Sequence, residues 1–146
     1  MIHGSRNLVD QFVQLDPPRT LGANDSTAIY FRLPSEFAGL LAASLVGVPD
    51  ALAAVAAQDI GLSIERGGEG DQRARWAVSS ALAADLTGRA DLITAIADLA
   101  PLLPGEGAVS EADEVGPDQF CALEIAHIGI AGTVTYLGIR LEYVTR

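Results

Sequence analysis

Apolar and polar residues alternate along most of this chain, and the clearest case is Thr133 to Val144. Leu137, Ile139, Leu141 and Tyr143 fall on every second position, with Gly138, Arg140 and Glu142 between them. A period of two predicts a strand with one buried and one wet face. The segment before it behaves alike: Cys121, Leu123 and Ile125 point one way, Ala122, Glu124 and Ala126 the other, and Gly129 and Gly132 bracket a turn. Upstream, Ile60, Leu62 and Ile64 alternate with Gly61, Ser63 and Glu65. The glycines at 67, 68 and 70 supply a tight reversal, and Ala74, Trp76 and Val78 carry the return strand. Two more strands are predicted around Ile29, Phe31 and Leu33, with Tyr30 and Arg32 on the opposite face, and over Leu40 to Val48.

Three stretches read differently. Residues 50–58 fit either one or two alanine-rich helical turns or a plain crossover. Residues 91–103 fit either a strand ending in a short helix or a single helix, since Leu92, Ile93, Ile96, Leu99 and Leu103 share a face. Residues 104–119 carry glycines, prolines and acids without a base, and predict a loop. Evenly spaced hairpins with glycine turns predict a mainly β fold, an antiparallel β-sandwich.

The first 26 residues stand apart from this pattern. Leu8, Val9, Phe12 and Val13 recur at helical spacing, Leu15 follows, Asn7 is a candidate cap, and Pro17 and Pro18 stop the run. The expectation is an extended N-terminal arm (1–26) carrying a short helix, followed by the sandwich domain (27–146). A helix this short is unstable alone and must dock, on its own domain or on a neighbour. Ile2, Leu8, Phe12, Leu15 and Leu21 are the candidate partner-interface residues.

Composition narrows the function. With 146 residues and 49% hydrophobic, one domain with a substantial core is expected. The formal charge of −10, with every base an arginine, argues against nucleic acid and against an anionic membrane surface. No apolar leader or membrane-length run is present, which predicts a chain made in the cytosol and exported only within an assembly.

The search for chemistry returns nothing convergent. His3, His127 and Cys121 are too few for a structural zinc site, and the lone cysteine reads as a small buried hydrophobe. Glu106, Glu111, Asp113, Glu114 and Asp118 supply oxygens but lack the spacing of a calcium loop, so a solvated loop is expected. Ser63 sits in half of a nucleophile-elbow pattern, but in mid-strand rather than at a strand-to-helix turn. Gly67 to Gly70 lacks the lysine of a phosphate loop and carries an acid instead. Trp76 reads as core. The expectation is a non-enzyme with no catalytic residue, metal or cofactor.

The order of segments resembles a β-rich module of tailed-phage virion proteins. The residues that carry the resemblance are "FRLPSEF" (31–37), the apolar strand ending in Val48-Pro49-Asp50, and the closing "TVTYLGIRLEY" (133–143). It covers residues 27–144, and the acidic insertion at 105–118 departs from it. The resemblance implies a jelly-roll-like sandwich serving as a virion structural protein: a capsid decoration or cement subunit, a head fibre or a tail-associated module. It also implies a homo-oligomer (a trimer), the major capsid protein or other virion proteins as partners, and assembly into virions in the host cytoplasm. The alternative is a receptor- or carbohydrate-binding module of a fibre or tail. That reading calls for exposed aromatics on loops, whereas the aromatics here lie mostly within strand patterns.

Overall fold

The computed structural model describes residues 7–70, 74–77, 82–103 and 116–146, with backbone alone at 74–77 and 82–83. The strands are β1 (Leu8–Leu21), β2 (Ser26–Arg32), β3 (Phe37–Pro49), β4 (Ala57–Gly67), β5 (Ala74–Ala77), β6 (Leu82–Asp85), β7 (Thr94–Asp98), β8 (Phe120–His127) and β9 (Val134–Thr145). They form two antiparallel sheets. The front sheet has the order β1-β9-β3-β7; the back sheet runs β2-β8-β4, with β5 and β6 following one another along the free edge of β4. Both sheets are therefore four positions wide. The chain changes sheet at nearly every connection, so each inner face is built from segments far apart in sequence.

The inner faces follow the alternation. Ile60, Leu62, Ile64, Leu123 and Ile125 from the back sheet meet Leu45, Ile139, Leu141 and Tyr143 from the front, all at most 4% exposed. Truncating one such leucine to alanine costs about 2–5 kcal/mol. Cys121 joins this core as expected, and burial pushes its thiol pKa up to about 12, which keeps it protonated.

The N-terminal segment is not helical. Leu8 to Leu21 is the edge strand β1, paired with β9 from Leu8↔Val144 to Leu21↔Val134. The spacing that suggested one helical stripe is a strand with apolar groups on both faces. Val9, Val13 and Leu15 pack on the core, Leu8 and Phe12 face out, and Gln11 accepts a hydrogen bond from the Tyr143 hydroxyl at 2.8 Å. Pro17 and Pro18 do not end the element. They lie where the register shifts between Gln14 and Arg19, on an edge strand where a missing N–H costs no ladder bond.

The ambiguous stretches resolve into short pieces. Ala53–Val55 is a single 3₁₀ turn before β4, and 91–103 divides into β7 and a second 3₁₀ turn, Ala100–Leu102. The closing strand also departs from strict alternation. Tyr136 faces Arg19 and Gly47, but Gly138 faces Gln14 and Val46, so one extra residue, Leu137, is accommodated on β9. This bulge switches the buried phase from Val134 and Tyr136 to Ile139, Leu141 and Tyr143, and leaves Leu137 only half-buried.

Candidate binding surfaces

The front sheet should be polar on its outer face if that face met only water. It is not. Phe12 on β1 is 47% exposed, and Ile93, just before β7, is 75% exposed. With Val46 and Leu137 between them, and Ser44 and Arg140 at the side, they line a depression of about 480 Å³. The bulge at Leu137 is what turns that side chain outward. Beside the depression, Arg140 crosses to β1 and donates two hydrogen bonds to the Asp10 carboxylate, at 3.1 and 2.7 Å. Those bonds hold the Asp10 pKa below the usual carboxylate range and hold the edge strand in place.

On the back sheet, small residues pave the outer face. The register aligns Tyr30, Ala122 and Glu65 in one row across β2, β8 and β4, with Ala28, Glu124 and Ser63 in the row on one side. Arg32, Phe120 and Gly67 form the row on the other side. Tyr30 is 76% exposed and Phe120 50%. Arg32 is occupied: its guanidinium lies 5.1 Å over the Phe120 ring and bonds Asp118 at 3.0 Å. Two adjoining hollows of about 280 and 110 Å³ flank the middle row and share Tyr30, Glu65 and Ala122.

Inside the sandwich, one end is polar. His127, expected as a polar strand end, is 3% exposed. Its Nδ1 lies 3.1 Å from the carbonyl of Gly22 and its Nε2 lies 2.6 Å from the Tyr136 hydroxyl. A carbonyl only accepts, so Nδ1 carries the proton and Nε2 accepts from Tyr136. Burial lowers the His127 pKa, partly opposed by the Gly22 bond and by Asp25, and burial raises that of Tyr136. At the other end, Arg66 faces inward at 2% exposure and donates to Gln119 at 3.3 Å.

The expected interface residues separate. Leu8 and Phe12 are on the open face, Leu15 is half-buried against the core, and Leu21 is 5% exposed and part of the core. Ile2 lies outside the described residues, as do His3 and Glu106, Glu111, Asp113 and Glu114 of the acidic loop; Asp118 is described and pairs with Arg32. Trp76 sits opposite Ile64 on β5, at a position described by backbone alone. Ser63 and His127 occupy opposite faces of the back sheet. Among the described residues, no three His, Cys, Asp or Glu side chains are grouped to hold a metal, and no helix is long and apolar enough to cross a membrane. Tyr30, Phe120, Ile93 and Leu137 were not singled out from sequence. For Tyr30 the signal was present, since the alternation put it on the face opposite Ile29 and Phe31.

No protein-family model and no curated protein matches the chain. Among solved structures, a chain in the structure of infectious bursal disease virus Gx strain is similar, with a TM-score of 0.49 and 10% identity. The similarity covers 96% of this chain and 33% of that one, so this chain spans about a third of its length.

Proposed function

We propose that this chain is a non-enzymatic virion structural protein, a capsid decoration or cement subunit that packs on neighbouring virion proteins through the outer face of its front sheet. The observation that carries this reading is the apolar patch of Phe12, Val46, Ile93 and Leu137 on a face where alternation calls for polar residues. Two further features support it. The facing strand orders β1-β9-β3-β7 and β2-β8-β4-β5 are those of a jelly roll, an architecture used for viral capsid domains among others. The segment order resembles the tailed-phage module described above. On this reading the partners are the major capsid protein or further copies of the chain, as a trimer.

The test is co-sedimentation with capsids that lack the protein. Because β1 belongs to the sandwich, a point variant serves better than deletion of the N-terminal segment. The wild type pellets with capsids, and the double variant Phe12→Asp/Ile93→Asp stays in the supernatant with an unchanged circular dichroism spectrum. Wild-type protein left in the supernatant, or a double variant that still pellets, overturns the reading. A fibre or tail module is the second reading, and the exposed aromatics on the back sheet favour it.

A further inference from the structure

The back sheet ends at β2, and the edge it presents there has the form of a template for one more strand. In an antiparallel ladder a residue directs its N–H and C=O to one neighbour, and the next residue directs them to the other side. Two bonds that prolong the β2–β8 ladder fix the phase. The His127 amide donates to the Asp25 carbonyl at 2.8 Å, and the Leu33 amide donates to the Gln119 carbonyl at 2.9 Å. Both pairs keep the register in which Ser26 faces Ala126 and Arg32 faces Phe120. Odd-numbered residues of β2 therefore bond to β8. Ser26, Ala28, Tyr30 and Arg32 turn their backbone groups outward, where no described strand pairs with them.

The other described edges are blunted against pairing. β1 carries Pro17 and Pro18 at a register shift, β7 is five residues long and shifts register against β3, and β5 and β6 have four residues each. β2 has none of these devices. It holds one register throughout, and its sequence Ser-Thr-Ala-Ile-Tyr-Phe-Arg contains no proline, glycine or acid.

We infer that β2 pairs antiparallel with β2 of a second copy, about a two-fold axis at Ile29, so that the two back sheets become one continuous sheet. Self-complementarity selects this occupant and this register. Ala28 then faces Tyr30 and Ser26 faces Arg32, each twice, and every outward backbone group of the four residues finds a partner. An axis at Ala28 would set Arg32 against Asn24, a turn residue with φ of 64°, and an axis at Tyr30 would set Ser26 against Pro34, which has no N–H. In the Ile29 register the exposed Tyr30 ring covers Ala28 of the second copy, a large side chain against a small one. Beyond Ala28 in that row stands Glu124, on the rim of a small hollow that Ala28, Ser63 and Ala122 also line. The Tyr30 hydroxyl is directed over the alanine toward that carboxylate, which accepts from it. Arg32 is the only charge on the strand and faces a serine, so no like charges meet along the pair. The pair leaves the front face open and rests neither on the capsid reading nor on the trimer that the resemblance implies.

The experiment is sedimentation of the full chain from low micromolar to submillimolar concentration, with amide hydrogen exchange read by NMR at both ends of the range. Salt is kept at about 0.15 M, which screens the repulsion between two copies of charge −10. The mass should double with concentration, and the amides of Ser26, Ala28, Tyr30 and Arg32 should gain protection, while those of Thr27, Ile29 and Phe31 are protected throughout. Ala28→Pro removes an outward N–H and no bond to β8, so it should give a folded monomer. Tyr30→Ala should weaken the pair about tenfold. Phe12→Asp/Ile93→Asp, on the front face, should leave the pair unchanged, so loss of capsid packing and loss of pairing are read separately. A wild type that stays monomeric over the range overturns the inference. So does an oligomer in which the four even-numbered amides gain no protection, or one indifferent to both Ala28→Pro and Tyr30→Ala.

Discussion

His127 is the residue whose chemistry the fold changes most. In the unfolded chain it titrates near pH 6.5, whereas burial between the Gly22 carbonyl and the Tyr136 hydroxyl lowers its pKa in the folded state. A lowered folded pKa means that the unfolded state binds the proton first as pH falls. The stability associated with a neutral His127 is therefore fully present above about pH 6.5 and declines below it, by up to about 1.4 kcal/mol per pH unit until the folded pKa is reached. Urea midpoints measured at about pH 7.5 and 5.5 should show that loss in the wild type and a flat profile in His127→Gln. Equal pH dependence in both proteins would remove His127 as the cause. Sequence gave no warning of this: a histidine beside a glycine turn looks like a solvated strand end, and its partners lie at positions 22 and 136.

At the scale of the element, the closing strand depends on one bulge. Gly138 has φ of 152°, and a Cβ there would overlap the Val13 carbonyl oxygen and come within 2.9 Å of the Phe12 ring. Gly138→Ala should therefore lift β1 from β9 and cost about 3 kcal/mol or more, read as a shift of the denaturation midpoint with unchanged slope. A loss under about 1 kcal/mol would mean that β1 relaxes without penalty. The alternation of β2, β4 and β8 was legible from Ile29, Ile60 and Leu123 because each strand keeps one phase throughout. The bulge in β9 was not, since Leu137 continues the apolar series Ile139, Leu141, Tyr143 without a break. β1 was misread because apolar residues on both faces of a strand reproduce helical spacing. The lesson joins the fold to the site: Leu137 and Phe12 broke the pattern because both belong to an open face.

For the molecule as a whole, the sandwich was legible and the character of its two outer faces was not. Strand positions follow from local alternation and β4 with β5 forms the expected hairpin, but β8 and β9, on either side of the glycine turn, lie in different sheets because each pairs with strands distant in sequence. Which outer face is apolar and which is aromatic and acidic depends on register between residues far apart in sequence, such as Tyr30 against Ala122 and Phe12 against Arg140. The acidic composition acts at this scale too. On the proposed reading it disfavours anionic partners and leaves the apolar front face for contact with other virion proteins.

The strand order has a consequence for how the chain comes to be made. β9 lies between β1 and β3, and β8 lies between β2 and β4. A ribosome delivers β1 to β7 before β8 and β9, the strands that join β2 to β4 and β1 to β3. Until residues 120–145 emerge, β1 and β2 have no strand partner, while β3 has only β7 and β4 only β5 and β6. Nascent chains arrested before Phe120 should be digested readily by protease, while chains extended past Thr145 should resist it. Protection that appears before β8 is made would show that the early strands find other partners. Synthesis thus holds β1 and β2 in waiting, and residues 120–145 act as the keystone of both sheets.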